Sequence, residues 1–156
     1  YVQQSRDGFT AFQYGGANDK PLPADYDGDG KADPAFFRST SRTWFLRRSS
    51  FGETEVVFGL PTDRPVPADY DGDGATDIAV FRAGTWYINN SSSGVSVGQF
   101  GLSDDSPVPG DYDGDGKADV AVYRGGTWYL QNTSSGFGAA NFGLPNDLPL
   151  PLTNLR

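Results

Sequence analysis

A nine-residue segment rich in aspartate and glycine occurs three times and constrains the fold more than any other feature of the chain. It reads DYDGDGKAD at residues 25–33 and 111–119, and DYDGDGATD at residues 69–77. Aspartate occupies positions 1, 3, 5 and 9 of every copy, and glycine occupies positions 4 and 6. Glycine tolerates the positive φ angles of a tightly coiled loop. The spacing therefore predicts three compact loops whose carboxylates converge.

Converging carboxylates at this spacing are typical of a calcium site. Ca²⁺ takes about six to eight oxygen ligands, and position 7 is expected to add a backbone carbonyl. Turn chemistry between two strands is the alternative, but a turn needs only one or two such residues. Four mutually repelling carboxylates would destabilise an empty loop, so we predict three Ca²⁺ sites. The predicted ligands are Asp25, Asp27, Asp29, Lys31 and Asp33; Asp69, Asp71, Asp73, Ala75 and Asp77; and Asp111, Asp113, Asp115, Lys117 and Asp119.

The loop resembles the first nine positions of an EF-hand but lacks the glutamate at position 12. Phe36, Val80 and Val122 stand there instead. The aspartate at position 9 is therefore expected to close each site as a bidentate ligand. The runs that follow the loops, PAFFR, IAVFR and VAVYR, are short and apolar. They predict a β-strand after each loop and not a helix.

Composition agrees with metal sites and excludes several other chemistries. The loops hold twelve of the 20 acidic residues, so three bound Ca²⁺ ions would bring the net charge of −8 close to neutral. The chain has no Cys, His or Met, which excludes disulfides, thiolate zinc sites and imidazole bases. The acidic charge also argues against a nucleic-acid partner. No apolar run approaches the roughly 18 residues of a membrane span.

The repeat extends beyond the loops and sets the predicted fold class. Trp44, Trp86 and Trp128 are 42 residues apart, and the same interval separates three Phe-Gly dipeptides. Each interval contains four short β-type runs, which is typical of a β-propeller blade. We predict an all-β array forming one domain over residues 1–156. It comprises a partial blade at 1–15, full blades at about 16–59, 60–101 and 102–143, and a terminal strand within 144–156.

These motifs resemble the FG-GAP/VCBS repeat family, the calcium-loop blades of integrin-α-like β-propellers. The resemblance covers about residues 14–143, although no Gly-Ala-Pro sequence follows any Phe-Gly. It implies calcium loops in a propeller, with roles in adhesion, recognition and sugar binding. The residues that carry it, besides the loops, are Phe58-Gly59, Phe100-Gly101, Phe142-Gly143, Tyr14-Gly15 and the arginines Arg38, Arg82 and Arg124.

Other repeated residues have structural explanations. The three tryptophans are expected to fill the space between adjacent blades, although they could also stack on sugar rings. Four aspartates that stand two residues before a proline are expected to form turns that lead into the next strand. The arginines are expected to be structural, either bridging blades or forming a basic rim. These aspartates are Asp19, Asp63, Asp105 and Asp147.

Asn89, Asn90 and Asn132 begin N-x-Ser/Thr sequons on the predicted third hairpin of two repeats. In a secreted protein these residues are predicted glycosylation acceptors. Polar hairpin composition is the alternative explanation.

The sequence predicts no enzyme. Glu53 and Glu55 are the only carboxylates left to form a catalytic pair, and a solvent-facing strand explains them better. We expect a secreted or cell-surface module that binds or adheres, with glycan or protein as ligand. The alternatives are a structural subunit of an extracellular oligomer or filament, and an accessory propeller of a secreted polysaccharide-degrading enzyme. Open blade edges predict self-association, or pairing with the remainder of a longer parent chain.

Overall fold

The structure is a computed structural model that describes residues 2–4 and 8–150. Those residues form fourteen β-strands and no helix, so no helix among them could cross a membrane. The predicted all-β class is confirmed. The strands are β1 (Val2–Gln4), β2 (Gly8–Thr10), β3 (Lys20–Pro21), β4 (Ala35–Arg38), β5 (Thr43–Arg48), β6 (Gly52–Val57), β7 (Arg64–Pro65), β8 (Ile78–Arg82), β9 (Thr85–Asn90), β10 (Gly94–Gln99), β11 (Ser106–Pro107), β12 (Val120–Arg124), β13 (Thr127–Asn132) and β14 (Gly136–Asn141).

Three four-stranded antiparallel sheets follow one another along the chain. Sheet 1 contains β3 to β6, sheet 2 contains β7 to β10 and sheet 3 contains β11 to β14, each with its strands in sequence order. Strands β1 and β2 form a separate two-stranded ribbon. Each sheet falls within one of the full blades predicted from the repeat. The arrangement of the sheets as a propeller stays a prediction.

The first strand of each sheet is shorter than its sequence pattern predicts. The run PVPAD at residues 65–69 is the first of the four β-type runs of its interval, but β7 contains only Arg64 and Pro65, with an isolated bridge from Ala68 to Asp77. Proline has no amide hydrogen, so alternate prolines remove donors from the ladder.

The two ends of the chain are described only in part. Residues 144–150 contain no strand. Residues 151–156, like residues 1 and 5–7, lie outside the described residues. The predicted terminal strand therefore stays a prediction.

Two kinds of tight hairpin set the register of each sheet. In sheet 2, β8 and β9 are joined by Ala83 and Gly84, both with positive φ, as a type I′ turn requires. Between β9 and β10 the chain turns through residues 91–93, and Asn90 pairs with Gly94. Sheets 1 and 3 have turns of the same length at residues 49–51 and 133–135. These three-residue segments are called the serine turns below, because serine or threonine begins each one.

The cores lie between consecutive sheets. Trp44 of sheet 1 is fully buried in a cluster that includes Ile78 and Val80 of sheet 2. Trp86 of sheet 2 is likewise buried in a cluster that includes Val122 of sheet 3 and Ala118, which lies just before β12. The prediction that tryptophans pack between repeats is confirmed for these two. Trp128 packs on residues of its own sheet and is only half-buried.

An ion pair between an aspartate and an arginine, called the clamp below, joins the first two strands of each sheet. In sheet 2, Arg82 Nε and Nη2 donate to the two carboxylate oxygens of Asp63, each at 2.7 Å. Leu60 N also donates to Asp63 Oδ2 at 2.7 Å, which is the predicted turn. The pairs Arg38 with Asp19 and Arg124 with Asp105 repeat the arrangement. The arginines therefore bond within one sheet and do not bridge neighbouring sheets.

The glycine of the Phe-Gly dipeptide lets the backbone pass close to the aspartate of the clamp. Gly101 has a φ of +99°, and a Cβ there would stand 2.8 Å from Val122 Cγ1 and 2.9 Å from Asp105 Oδ2. The carbonyl before it, on Phe100, accepts a hydrogen bond from Trp86 Nε1 at 2.9 Å. The dipeptide thus contacts the tryptophan of one sheet and both the clamp and the second strand of the next sheet.

Replacing Arg82 with methionine should lower the free energy of unfolding by about 3 kcal/mol. The Asp63 side chain is fully buried, so the change would leave a buried charge without its partner. Arg47→Met is the matched control, because Arg47 pairs with exposed Glu53 at 3.7 Å and should cost at most about 0.5 kcal/mol. Urea unfolding in calcium would compare them, and equal losses would contradict the clamp.

Candidate metal centres

The three aspartate loops connect the first and second strands of the three sheets. Loop 1 is residues 25–33, loop 2 is residues 69–77 and loop 3 is residues 111–119. Antiparallel bridges from Ala24 to Asp33, Ala68 to Asp77 and Gly110 to Asp119 close the loops at their base. Each loop therefore begins and ends at the same point of its sheet.

The aspartate at position 1 forms the centre around which the loop coils. In loop 2, Asp69 Oδ1 accepts a hydrogen bond from Gly72 N at 2.7 Å, and Oδ2 accepts one from Gly74 N at 2.9 Å. Asp25 and Asp111 accept the equivalent pairs of glycine amides. The glycines at positions 4 and 6 thus direct their amides at one carboxylate.

The aspartate at position 9 is the most buried charged group of each loop. Asp77 is only 1 % exposed, and its two oxygens accept hydrogen bonds from Tyr70 N at 2.8 Å and Ser91 N at 2.6 Å. Burial raises the pKa of Asp77, while these amides act in the opposite direction. Asp33 and Asp119 make the same pair of bonds. Position 9 therefore ties its loop to the serine turn.

The serine turns also contact positions 3 and 5, and the sequence analysis did not anticipate this role. In sheet 2, Ser91 Oγ donates to Asp73 Oδ2 at 2.7 Å, and Ser92 Oγ donates to Asp71 Oδ2 at 2.6 Å. In sheets 1 and 3 the serine turns likewise donate hydrogen bonds to the carboxylates at positions 3 and 5 of their loops. A signal was present, because Ser49, Ser91 and Thr133 follow the same 42-residue interval as the tryptophans.

Hydrogen bonding and one ion pair lower the pKa of several loop carboxylates. Bonds from Ser134 and Thr133 lower the pKa of Asp115. The Lys31 ammonium, 2.7 Å from Asp29, lowers the pKa of that carboxyl, and Ser49 adds to the effect. Burial alone would raise the pKa of Asp71, but bonds from Ser92 and Ser93 outweigh it. Ionised carboxylates are the state that a cation requires.

The structure brings three carboxylates together in each loop. Within each group, one oxygen per residue lies within 4.8 Å of the others. The groups are Asp25, Asp27 and Asp29; Asp69, Asp71 and Asp77; and Asp111, Asp113 and Asp115.

The remaining predicted ligands lie outside these groups. Asp33, Asp73 and Asp119 are the side chains concerned. The amides of Lys31, Ala75 and Lys117 donate to the position-5 carboxylate, and the ligand role of their carbonyl oxygens stays a prediction.

These residues fit a hard divalent cation such as Ca²⁺. Every side-chain donor is a carboxylate oxygen, the ligand type that Ca²⁺ prefers. Asp113 Oδ1 is buried without a hydrogen-bond donor. An unsatisfied buried acceptor costs about 1–3 kcal/mol, and a bound cation would offset that cost.

The predicted glycosylation acceptors lie at the ends of the strands that lead into the serine turns, and their glycosylation stays a prediction. The sequon residues Asn90 and Asn132 donate their side-chain amides to Gly94 O at 2.6 Å and Ser135 Oγ at 2.7 Å, while Asn89 is half-buried in β9. Glu53 and Glu55 are both exposed on β6, the last strand of sheet 1.

Two isosteric variants of loop 3 should separate structural from ligand roles. Asp119→Asn replaces one acceptor of a buried carboxylate by an amide that faces a backbone donor, so unfolding without calcium should become easier by about 1–3 kcal/mol. Asp115→Asn, at an exposed position of the carboxylate group, should leave that free energy within about 0.5 kcal/mol while weakening calcium binding. Unfolding in chelator and titration calorimetry would measure both, and equal stability losses would contradict the assignment.

A comparison with known families agrees with the repeat found in the sequence. Residues 69–122 match the family model of the FG-GAP-like repeat. The matched segment begins at loop 2, continues through β8 to β11 and loop 3, and covers about a third of the chain. No curated protein and no solved structure matches the chain. The resemblance to the FG-GAP-like repeat is confirmed over this segment.

Proposed function

We propose that the chain is a calcium-stabilised, non-catalytic repeat module that binds or adheres outside the cell. The observation that carries the proposal is that each of the three loops brings three carboxylates together and receives hydrogen bonds from a serine turn at the same loop position. Chance acidic patches would not reproduce the same donors and acceptors at each repeat. The extracellular location follows from the calcium affinity typical of such modules, about 10⁻⁴–10⁻³ M.

Calcium would act on stability because the loops connect separate parts of the fold. Each loop joins two strands, and its position-9 carboxylate holds the serine turn between two others. A cation that binds only this folded arrangement stabilises it by mass action.

A propeller-type array is the architecture that the sheets support best. Consecutive four-stranded meanders pack face to face in chain order, as propeller blades do. A closed ring needs about four to eight blades. Further repeats, from another copy or from more of the same protein, would complete it.

A structural subunit of an oligomer or filament is the second candidate, and an uncovered face favours it. Tyr70 of sheet 2 is 9 % exposed beneath sheet 3, whereas its counterpart Tyr112 in sheet 3 is 40 % exposed. Within residues 8–150 no further sheet covers Tyr112 and Trp128. Another sheet of the same kind would bury both aromatic rings. Light scattering with calcium would separate the candidates, because a strict monomer would contradict this one.

The binding role can be tested with immobilised glycans. We expect calcium-loaded protein to retain selected glycans on an array, and EDTA to abolish retention together with the fold. Asp115→Asn protein is the control for loss of metal at one site without global unfolding. Absence of any glycan signal, with assembly detected by scattering, would favour the structural candidate.

Removing calcium should lower the melting temperature by more than about 10 °C. Occupation of one site at a hundredfold excess over its Kd contributes about 2.7 kcal/mol, and three sites contribute together. For a domain of this size, 1 kcal/mol corresponds to about 2–4 °C. Calorimetric melts in 10 mM CaCl₂, 10 mM MgCl₂ and EDTA would measure the effect. Equal melting temperatures in all three would contradict the calcium role.

A further inference from the structure

Consecutive aspartate loops are joined directly by backbone hydrogen bonds. Thr76 N, at position 8 of loop 2, donates to Asp25 O, at position 1 of loop 1, with a length of 2.7 Å. Ala118 N of loop 3 donates in the same way to Asp69 O of loop 2 at 2.6 Å. The contact is therefore repeated between the same loop positions in both neighbouring pairs.

A side-chain contact accompanies each hydrogen bond. A Cβ at Gly72, position 4 of loop 2, would stand 2.9 Å from Lys117 Cγ, position 7 of loop 3. A Cβ at Gly28 would stand 3.8 Å from the Cβ of Ala75 in the same relationship. The side chain of the position-7 residue thus packs on the glycine of the preceding loop, and Gly72 is needed for the close approach of Lys117 as well as for its φ of +80°.

These contacts join the residues that a bound cation would hold in place. Asp25 and Asp69 belong to the carboxylate groups of loops 1 and 2. Thr76 and Ala118 directly precede Asp77 and Asp119, the buried carboxylates that hold the next loop to its serine turn. One hydrogen bond and one peptide unit therefore separate the two centres.

We propose that the three loops bind Ca²⁺ with positive cooperativity between chain neighbours, an inference that rests on the proposed calcium function. Filling one loop orders its position-1 carbonyl and so reduces the ordering that the next loop must undergo when it binds. Thermodynamic linkage makes the effect reciprocal. Electrostatics acts in the opposite direction, because each bound cation weakens the negative potential that attracts the next. Positive cooperativity would therefore indicate coupling through the contacts, whereas negative cooperativity would indicate that electrostatics dominates.

Three matched variants, each lacking one site, test the proposal. Asp27→Asn, Asp71→Asn and Asp113→Asn change position 3, whose carboxylate bonds to the serine turn and not to the neighbouring loop. Each variant keeps two sites. Asp27→Asn and Asp113→Asn keep two adjacent sites, whereas Asp71→Asn keeps the two that are separated.

Calorimetric titration should show cooperativity only where the remaining sites are adjacent. For Asp27→Asn and Asp113→Asn we expect the second stepwise constant, corrected for statistics, to exceed the first by at least about fivefold. For Asp71→Asn we expect the two constants to be equal. Indistinguishable isotherms for the three variants, or negative cooperativity in all of them, would overturn the coupling. Failure of the unmodified chain to take up calcium would instead refute the proposed function.

Amide exchange provides a second measurement that does not depend on the isotherm. In Asp71→Asn protein, loop 2 lacks its metal, yet the Thr76 amide still bonds to loop 1. Calcium should therefore slow Thr76 exchange by several fold through loop 1 alone. Unchanged exchange at Thr76, with loop 1 filled, would refute transmission between the loops.

Discussion

The buried aspartate at the end of each loop is the interaction on which the rest of each repeat depends. Asp77 accepts one amide from its own loop and one from the serine turn, which lies 14 residues further along the chain. It therefore fixes the loop over the hairpin that joins the third and fourth strands. A carboxylate this buried is costly unless its charge is compensated. Two amides compensate part of the charge, and a neighbouring cation would compensate more.

The remaining loop carboxylates are oriented by chain segments that the same aspartate holds in place. Ser91 donates through its amide to Asp77 and through its hydroxyl to Asp73. One serine therefore links the buried carboxylate at position 9 with the carboxylate at position 5. The arrangement explains why hydroxyl side chains recur in a turn that any small polar residue could have formed. It also means that the site belongs to two separate parts of each repeat.

Local features of the sequence predicted the fold class and the loops, whereas the side-chain hydrogen bonds between distant residues escaped prediction. The aspartate and glycine spacing within nine residues was sufficient to indicate a carboxylate loop, because both the turns and the ligands are local. The pairing of Arg82 with Asp63 depends on the register of β7 against β8, which no local pattern encodes. The serine turn is separated from its loop by two strands, which are β8 and β9 in sheet 2. The first strand was overestimated because its alternate prolines resemble strand residues in position but not in bonding.

The contacts within repeats and the contacts between repeats together determine how such a chain can lengthen. The clamp, the loop and the serine turn lie within one repeat, while the bonds from Thr76 to Asp25 and from Ala118 to Asp69 lie between repeats. Duplication of one 42-residue segment would therefore supply a complete unit together with both halves of its junction. No compensating change elsewhere would be required. Growth by whole units is then tolerated, whereas loss of part of a unit would leave a junction without its partner.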